Sequence, residues 1–461
     1  MESNSHVADD DPAQQGGLDT VGSTATNVAD GFTMVAVGDL IMSRSLTKGH
    51  HPGFSEIVEI LHEADVTFGN MEANIFDIRS FKGSPQAEHG GPHLTSPPEI
   101  GPDLKAMGFN LVSRANNHTL EWGLEGMRET SRLLDENGIV HAGAGENLAQ
   151  AGAARFLETA RGRVALVSFA ATHTLMSRAC DPAGEAPGRP GLNALRLAVS
   201  IVVPHEVLES LKQLRNVLPF EGPSRKDPKR VVFAPDLYHK GVTFETGDKV
   251  GYSYEPNPRD VADILRNIRQ GKQFSDFCIA ASHCHQPGNF AQEPADYEQS
   301  FAHQLIDAGA DAYVGHGPHQ LRGIEIYKGR PIFYSLGNFF YDTLWSPVAA
   351  DTFEACGKVP RVDTDAEVII NLIDGWVPAV FYESVATVSR FEQNQLAELR
   401  LYPIELGFSK RLANRGVPRL AWAAQGRTIL ERLQKLSKPF GTEIAIKNNI
   451  GVIKLKPTSP Q

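Results

Sequence analysis

The sequence predicts an α/β fold, on three observations. Short apolar runs alternate with amphipathic helical stretches from Phe32 to Leu336. Polar clusters stand just past the ends of several of those runs, where α/β sheets build their ligand loops. At 461 residues with 41% hydrophobic content, the chain can bury a large core.

The elements follow in order. Residues 1–30 are polar and acidic and are expected to be a disordered tail. Residues 33–37 read as a buried strand ending in Gly38–Asp39. Residues 54–64 have helical spacing through Phe54, Ile57, Val58 and Leu61. A second strand, 66–68, leads to Asn70 and Glu72, and a third, Leu111–Ser113, runs into Asn116, Asn117 and His118. Residues 122–137 form a helix closed by Gly138. Strands at 164–169 and 277–281 follow, the latter entering Ser282–His283–Cys284–His285. A helix at 301–308 and a strand at 312–314 lead to Gly315–His316–Gly317–Pro318–His319, and 332–336 closes the series.

Residues 195–275 interrupt this order with a strand-like LRLAVSIVV, a helix His205–Val217, a Pro/Lys/Arg-rich loop and a helix at 260–269. They read as an insertion that is either a cap over a site or surface decoration. Past Tyr341, residues 367–372, 376–382, 383–392 and 395–401 read as antiparallel strands, with Asp374–Gly375 as a turn. A helix at 428–436 and a terminal hairpin at 443–455 around Asn448–Asn449 complete the chain. The expected organisation is a tail (1–30), a main domain (31–345) carrying the insertion (195–275), and a β-rich C-terminal extension with one helix (346–461).

The net charge of −11 argues against a nucleic-acid partner. Four scattered cysteines, with no CxxC pair, argue against a disulfide framework or a Cys-rich zinc site. No run reaches the roughly 18 apolar residues of a membrane span, and the acidic N-terminus lacks the basic start of a secretory signal. A soluble, cytoplasmic protein is expected.

Five polar clusters follow strands: Asp39; Asn70 with Glu72; the Asn116–His118 triplet; His283 with His285; and His316 with His319. Each alone has an ordinary explanation, such as a Gly–Asp turn or an Asn helix cap. Their repetition at strand ends points to one site. Carboxylate, amide oxygen and imidazole together suit one or two divalent ions of Mn, Zn, Fe or Mg, and paired ions clamp a phosphoryl or carbonyl oxygen. Arg114 and Arg322 suit a carboxylate or phosphate of substrate, or else an ion pair, and Asn338 is either a site residue or a turn residue. His89 and His93 lie in a Gly/Pro-rich loop that reads as solvated.

The motifs VGDLIMS (37–43), FGNMEANI (68–75), SRANNHTLEWG (113–123), ASHCHQ (281–286) and GHGPHQLRGIEIYKGRPIFYSLGNF (315–339) resemble the capsule synthesis protein CapA family, an offshoot of the calcineurin-like metallophosphoesterases. The resemblance covers residues 32–342. It implies a metallophosphatase-like four-layer αββα sandwich with an inserted cap. It also implies roles: Asp39 and His319 at one metal position, Glu72 bridging, and Asn117, His283 and His316 at the second. His118 would be the acid/base histidine beside the metals, with Asp39 and His319 the other catalytic candidates. Arg114, His285, Arg322 and Asn338 remain as substrate-binding candidates.

Ile41 stands where ordinary phosphoesterases carry a histidine, so the first position lacks a ligand. His285 is an extra candidate ligand or substrate contact, and Cys284 reads as a buried thiol. The function implied is hydrolysis or transfer at an amide (γ-glutamyl or peptide) or phosphoester bond, with a peptide or anionic polymer as substrate and a link to poly-γ-glutamate capsule synthesis. A metal-dependent peptide epimerase and a non-catalytic polymer-binding or assembly protein are the alternatives.

Overall fold

The structure, a computed structural model, describes residues 26–49, 51–86, 93–218, 227–233, 241–342 and 347–455. Most of the tail expected at 1–30, His89 and most of the Pro/Lys/Arg loop lie outside the described residues.

Nine strands position the site: β1 (Phe32–Met42), β2 (Val66–Met71), β3 (Leu111–Ser113), β4 (Gly162–Ala170), β5 (Phe277–His283), β6 (Ala312–His316), β7 (Asn338–Asp342), β8 (Glu383–Glu392) and β9 (Gln395–Glu405). β1, β2 and β3 pair in parallel within a ten-stranded sheet. The other side of β1 is shared. Its first half, Phe32–Ala36, pairs antiparallel with β8, and its second half, from Asp39, pairs in parallel with β7. β4, β5 and β6 are parallel neighbours in a six-stranded sheet.

The apolar alternation sets how the sheets pack. Successive side chains of a strand point to opposite faces. On β1, Phe32, Met34 and Ala36 join one buried cluster and Val35 and Val37 another. On β5, Phe277, Ile279 and Ala281 join the first of these, while Cys278 and Ala280 join a third. The two large sheets therefore share one core, in which Phe32 lies 4.9 Å from Phe277 between ring centroids. The other face of the first sheet packs on helices α1 (Phe54–His62), α2 (Ile100–Ala106) and α3 (Gly123–Glu136) through Ile57, Leu104 and Leu134. The other face of the second packs on α4 (Pro258–Gln273) and α5 (Glu298–Asp307) through Ile268 and Phe301. Each such side chain contributes about 1.5–3 kcal/mol by leaving water. The molecule is thus of the expected α/β class. No helix of the described residues is long and apolar enough to cross a membrane.

Inside 195–275, a four-stranded sheet carries the helix His205–Val217 on one side, through Val203, Leu208 and Val231. α4, by contrast, packs on the second large sheet. It begins at Asn257, whose side chain accepts from the Arg259 and Asp260 amides.

The C-terminal region corrects two expectations. The strand read at 367–372 and the turn read at Asp374–Gly375 both lie in the helix Asp365–Trp376. Its start is a capping box: Glu367 Oε2 accepts from the Thr364 amide at 2.7 Å, and Thr364 Oγ1 accepts from the Glu367 amide at 3.3 Å. Helical spacing then buries Val368 and Ile369. Residues 379–382, read as strand, form a 3-10 turn after Pro378. The terminal hairpin takes its expected form, Ala445–Lys447 against Ile450–Lys454, with Asn448 and Asn449 both at positive φ as a tight hairpin turn requires.

Candidate metal centre

Parallel pairing brings the carboxyl ends of the strands level. Asp39 lies opposite Asn70, Asn70 opposite Ser113, and His283 opposite His316. The two sheets are joined here by a contact between His316 Nε2 and the Val37 carbonyl at 3.1 Å.

β1 shifts register between Ala36 and Asp39 against β2, and again after Asp39 against β7. Such a bulge bends a strand and re-aims a side chain. It needs Gly38, because a Cβ there would lie 1.9 Å from the Gly337 carbonyl oxygen. The Asp39 amide donates to that same oxygen at 3.0 Å. The buried Asp39 carboxylate then accepts from Asn70 Nδ2 at 2.8 Å.

His319 is held in the left-handed region, φ 57°. That costs a non-glycine residue about 1–2 kcal/mol. Asn338 compensates: Nδ2 donates to the His319 carbonyl at 3.3 Å, and Oδ1 lies 3.0 Å from His319 Nδ1. His319 Nδ1 is also 3.7 Å from Asp39 Oδ2.

Glu72 is fully buried, and neither carboxylate oxygen has a hydrogen-bond partner. Oε1 is 3.4 Å from His283 Nε2 and 3.8 Å from His118 Nε2. Burial first, then the neighbouring Asp39 charge, pushes Glu72 well above the usual carboxylate range. His283 Nε2 is 3.0 Å from His285 Nε2. Burial, reinforced by neighbouring imidazoles, holds both histidines well below their ordinary value, and burial holds His316 and His319 down as well. Neutral imidazoles are the protonation state that metal ligands need, and the raised Glu72 carboxyl would release its proton on binding a metal.

Around this group runs a network of fixed side chains. Asn70 is its hub, touching Asp39, His283 Nδ1 (3.2 Å) and, through Oδ1, Asn116 Nδ2 (3.2 Å). His118 Nδ1 pairs with Glu121 Oε2 at 2.7 Å, and the Leu94 amide donates to the same oxygen at 2.8 Å. His285 Nδ1 lies 2.7 Å from Asn289 Oδ1.

Asp39, Glu72, His118, His283, His285, His316, His319 and Asn338 come together here. Two triads have ligand atoms mutually within 4.8 Å: Asp39–Glu72–His283 and Glu72–His285–His319. Glu72 belongs to both. The triads group Asp39 with His283, and His319 Nδ1 also lies near Asp39 Oδ2, at 3.7 Å. Asn117 Oδ1 and His316 Nδ1 are buried with no hydrogen-bond partner. Ile41 is buried in the cluster beneath α1 and α2.

Two candidates point elsewhere. Arg322 Nε and Nη2 donate to the carbonyls of Ala291, His285 and Gly288 at 3.4–3.5 Å on the loop after β5, while Nη1, 3.6 Å from Glu298 Oε2, has no hydrogen-bond partner. Arg114 turns to α3, donating to Ser131 Oγ and the Met127 carbonyl. His93 lies against the Gln86 carbonyl at 2.8 Å. Sequence reasoning did not assign roles to Asn70, Asn116, Glu121 or Asn289. Glu121, one helical turn after His118, was the most legible of these.

The donor set fits a divalent ion. Ligand atoms about 2.1 Å from one ion stand roughly 3–4 Å apart, as the Glu72–His283 and Glu72–His118 separations do. The unpartnered oxygens of Glu72 and Asn117 and the nitrogen of His316 are the orphaned groups that coordination would satisfy.

A family model described as Bacterial capsule synthesis protein PGA_cap matches residues 33–343. The uncharacterized protein y4sH of Sinorhizobium fredii is 64% identical over 465 residues, which span 98% of this chain and 99% of that one. The capsule biosynthesis protein CapA of Bacillus anthracis is 26% identical over 320 residues, spanning 68% of this chain and 61% of that protein. A probable polyglutamine synthesis accessory protein of Mycobacterium tuberculosis is 26% identical over 249 residues, spanning 53% and 48%.

Proposed function

The chain belongs to the bacterial capsule synthesis protein family PGA_cap, and from that premise we propose that it is a metal-dependent hydrolase or transferase acting on an amide bond, of γ-glutamyl or peptide type, in a capsule or poly-γ-glutamate-related role. The observation that carries this reading is Glu72, a buried carboxylate with two unpartnered oxygens shared by two ligand triads. Asp39, Glu72, His283, His285 and His319 would hold one or two divalent ions, with Glu72 common to both triads. His285 supplies the imidazole that Ile41 does not, and Mn, Zn, Fe or Mg suit the mixed oxygen and nitrogen donors.

Divalent ions held there would polarise the carbonyl and make water easier to deprotonate at neutral pH. The chain's own residues do the rest. Glu121 holds the His118 Nδ1 proton, so that the unprotonated Nε2 faces the centre, where it can take a proton from the attacking water and then pass it to the leaving nitrogen. Asn70 orients Asp39 and His283, and Asn338 keeps His319 in its strained conformation. The layering that goes with this reading is the four-layer αββα sandwich, supported by the shared core between the sheets and the helices outside them.

Elemental analysis of the purified chain, with cleavage of γ-glutamyl peptides measured after chelation and after Mn or Zn return, tests the proposal. Bound metal with chelator-sensitive, metal-restored cleavage is expected. A metal-free chain with no chelator effect overturns it. Deuterium entering an α-carbon without bond cleavage replaces it with epimerisation.

A further inference from the structure

Arg114, three residues before Asn117, is 1% exposed. Among the described residues its guanidinium makes two long hydrogen bonds, 3.3 Å to Ser131 Oγ and 3.4 Å to the Met127 carbonyl, and reaches no carboxylate for an ion pair. A buried guanidinium left so poorly matched is costly, because burial of a charge is tolerated only when it is paired and well bonded.

Met127 and Ser131 both line a cavity of about 460 Å³ beside α3. His141 and Arg155 line it too. His141 is 8% exposed, and neither ring nitrogen has a hydrogen-bond partner; Nε2 is 3.3 Å from Asp135 Oδ1. Arg155 is exposed and pairs with no carboxylate among the described residues. The other two arginines of the cavity are already neutralised. Arg128 pairs with Glu146 at 2.6 Å, and Arg132 pairs with Glu129 at 2.7 Å and with Glu136. Asp135, 62% exposed, is the carboxylate left to oppose Arg114 and Arg155.

We propose that this cavity binds a small oxyanion, a carboxylate or phosphate group, bonded by Arg155 and His141 with the buried Arg114 charge behind them. Arg155, which has no carboxylate partner among the described residues, offers the planar fork that carboxylate and phosphate match. The electrostatics agree. Burial lowers Arg114 to about 10, still charged at neutral pH, and burial with the Arg114 and Arg155 charges, opposed by Asp135, holds His141 down to about 4. None of the lining residues belongs to the metal centre.

The test uses the chelator-treated full chain, so that added anion finds no metal. The His141 imidazole resonances, identified by their loss in His141→Asn, are followed while inorganic phosphate, L-glutamate or a γ-glutamyl tripeptide is added. A saturable shift at His141 is expected, with affinity at least fivefold weaker in Arg155→Gln, a surface change that circular dichroism should show to be folded. Tighter binding of glutamate and the tripeptide than of phosphate identifies a substrate-type carboxylate, and the reverse order identifies free phosphate; either supports the site. No saturable shift with any of the three, or an unchanged affinity in Arg155→Gln, overturns it.

Discussion

Glu72 and Glu121 lie on either side of His118 and do opposite things. Neither oxygen of the Glu72 carboxyl beside Asp39 has a partner, whereas Glu121 Oε2 takes both an amide and an imidazole and only its Oε1 is left without one. A carboxyl group whose folded value is raised stabilises the fold only at low pH, and that stability is lost as pH rises through the folded value. Glu72→Gln removes this loss. Metal content is therefore expected to fall at least tenfold, while the metal-free variant melts at or above the metal-free parent, by a margin that widens from pH 5 to pH 8. Elemental analysis and thermal melts check both halves. Glu121→Gln is expected to leave metal content unchanged and to slow γ-glutamyl cleavage about 10–100-fold, the usual cost of losing an orienting partner; paired metal and rate measurements check it. At this scale the sequence was partly legible. The histidines and acids stood out by type and by their place after strands. Asn70 stood in one of those clusters, but its role as the hub was not legible, because that role comes from three contacts made across strands.

The element that matters most is the bulged end of β1. Gly38→Ala forces a methyl group into the Gly337 carbonyl, so one backbone must move. Asp39 moves with it. The variant is expected to lose metal and several degrees of melting temperature, measured by elemental analysis and calorimetry, whereas Gly251→Ala, with open space around its Cβ, is a control that should change neither. The long apolar strands were readable from their runs, since β4, β5 and β6 are buried on both faces and leave little else to interpret. Shorter elements were not. α2 is a seven-residue helix that starts within a Pro-rich stretch, and Asp365–Trp376 carries enough β-branched residues to mimic a strand. Only its Thr364–Glu367 box marks it as a helix, and that signal is two residues wide.

Taken as a whole, the molecule keeps a set of histidines neutral by burying them. His141, His173, His283, His285, His316 and His319 are all held below their ordinary value, with burial the largest cause in each. The unfolded chain protonates them near pH 6.5. Their contribution to stability is therefore full above that pH and is lost as pH falls toward the folded values. The metal-free chain is expected to melt progressively lower between pH 7 and pH 5 and to take up protons on unfolding, which calorimetry in buffers of different ionisation enthalpy measures. Metal in excess should move that loss to lower pH, because ligated imidazoles resist protonation.

The divided partnership of β1 has one more consequence. Residues 33–343 carry the family match, yet the first half of β1 has β8, from residues 383–392, as its neighbour on that side. Phe391 also packs against Phe32 and Phe277 at the centre of the shared core. A chain cut after residue 343 would present a raw strand edge with its aromatic lining uncovered, a template for other chains to add to. Shortened to the family match, the chain is expected to self-associate, and light scattering of the shortened chain would show it.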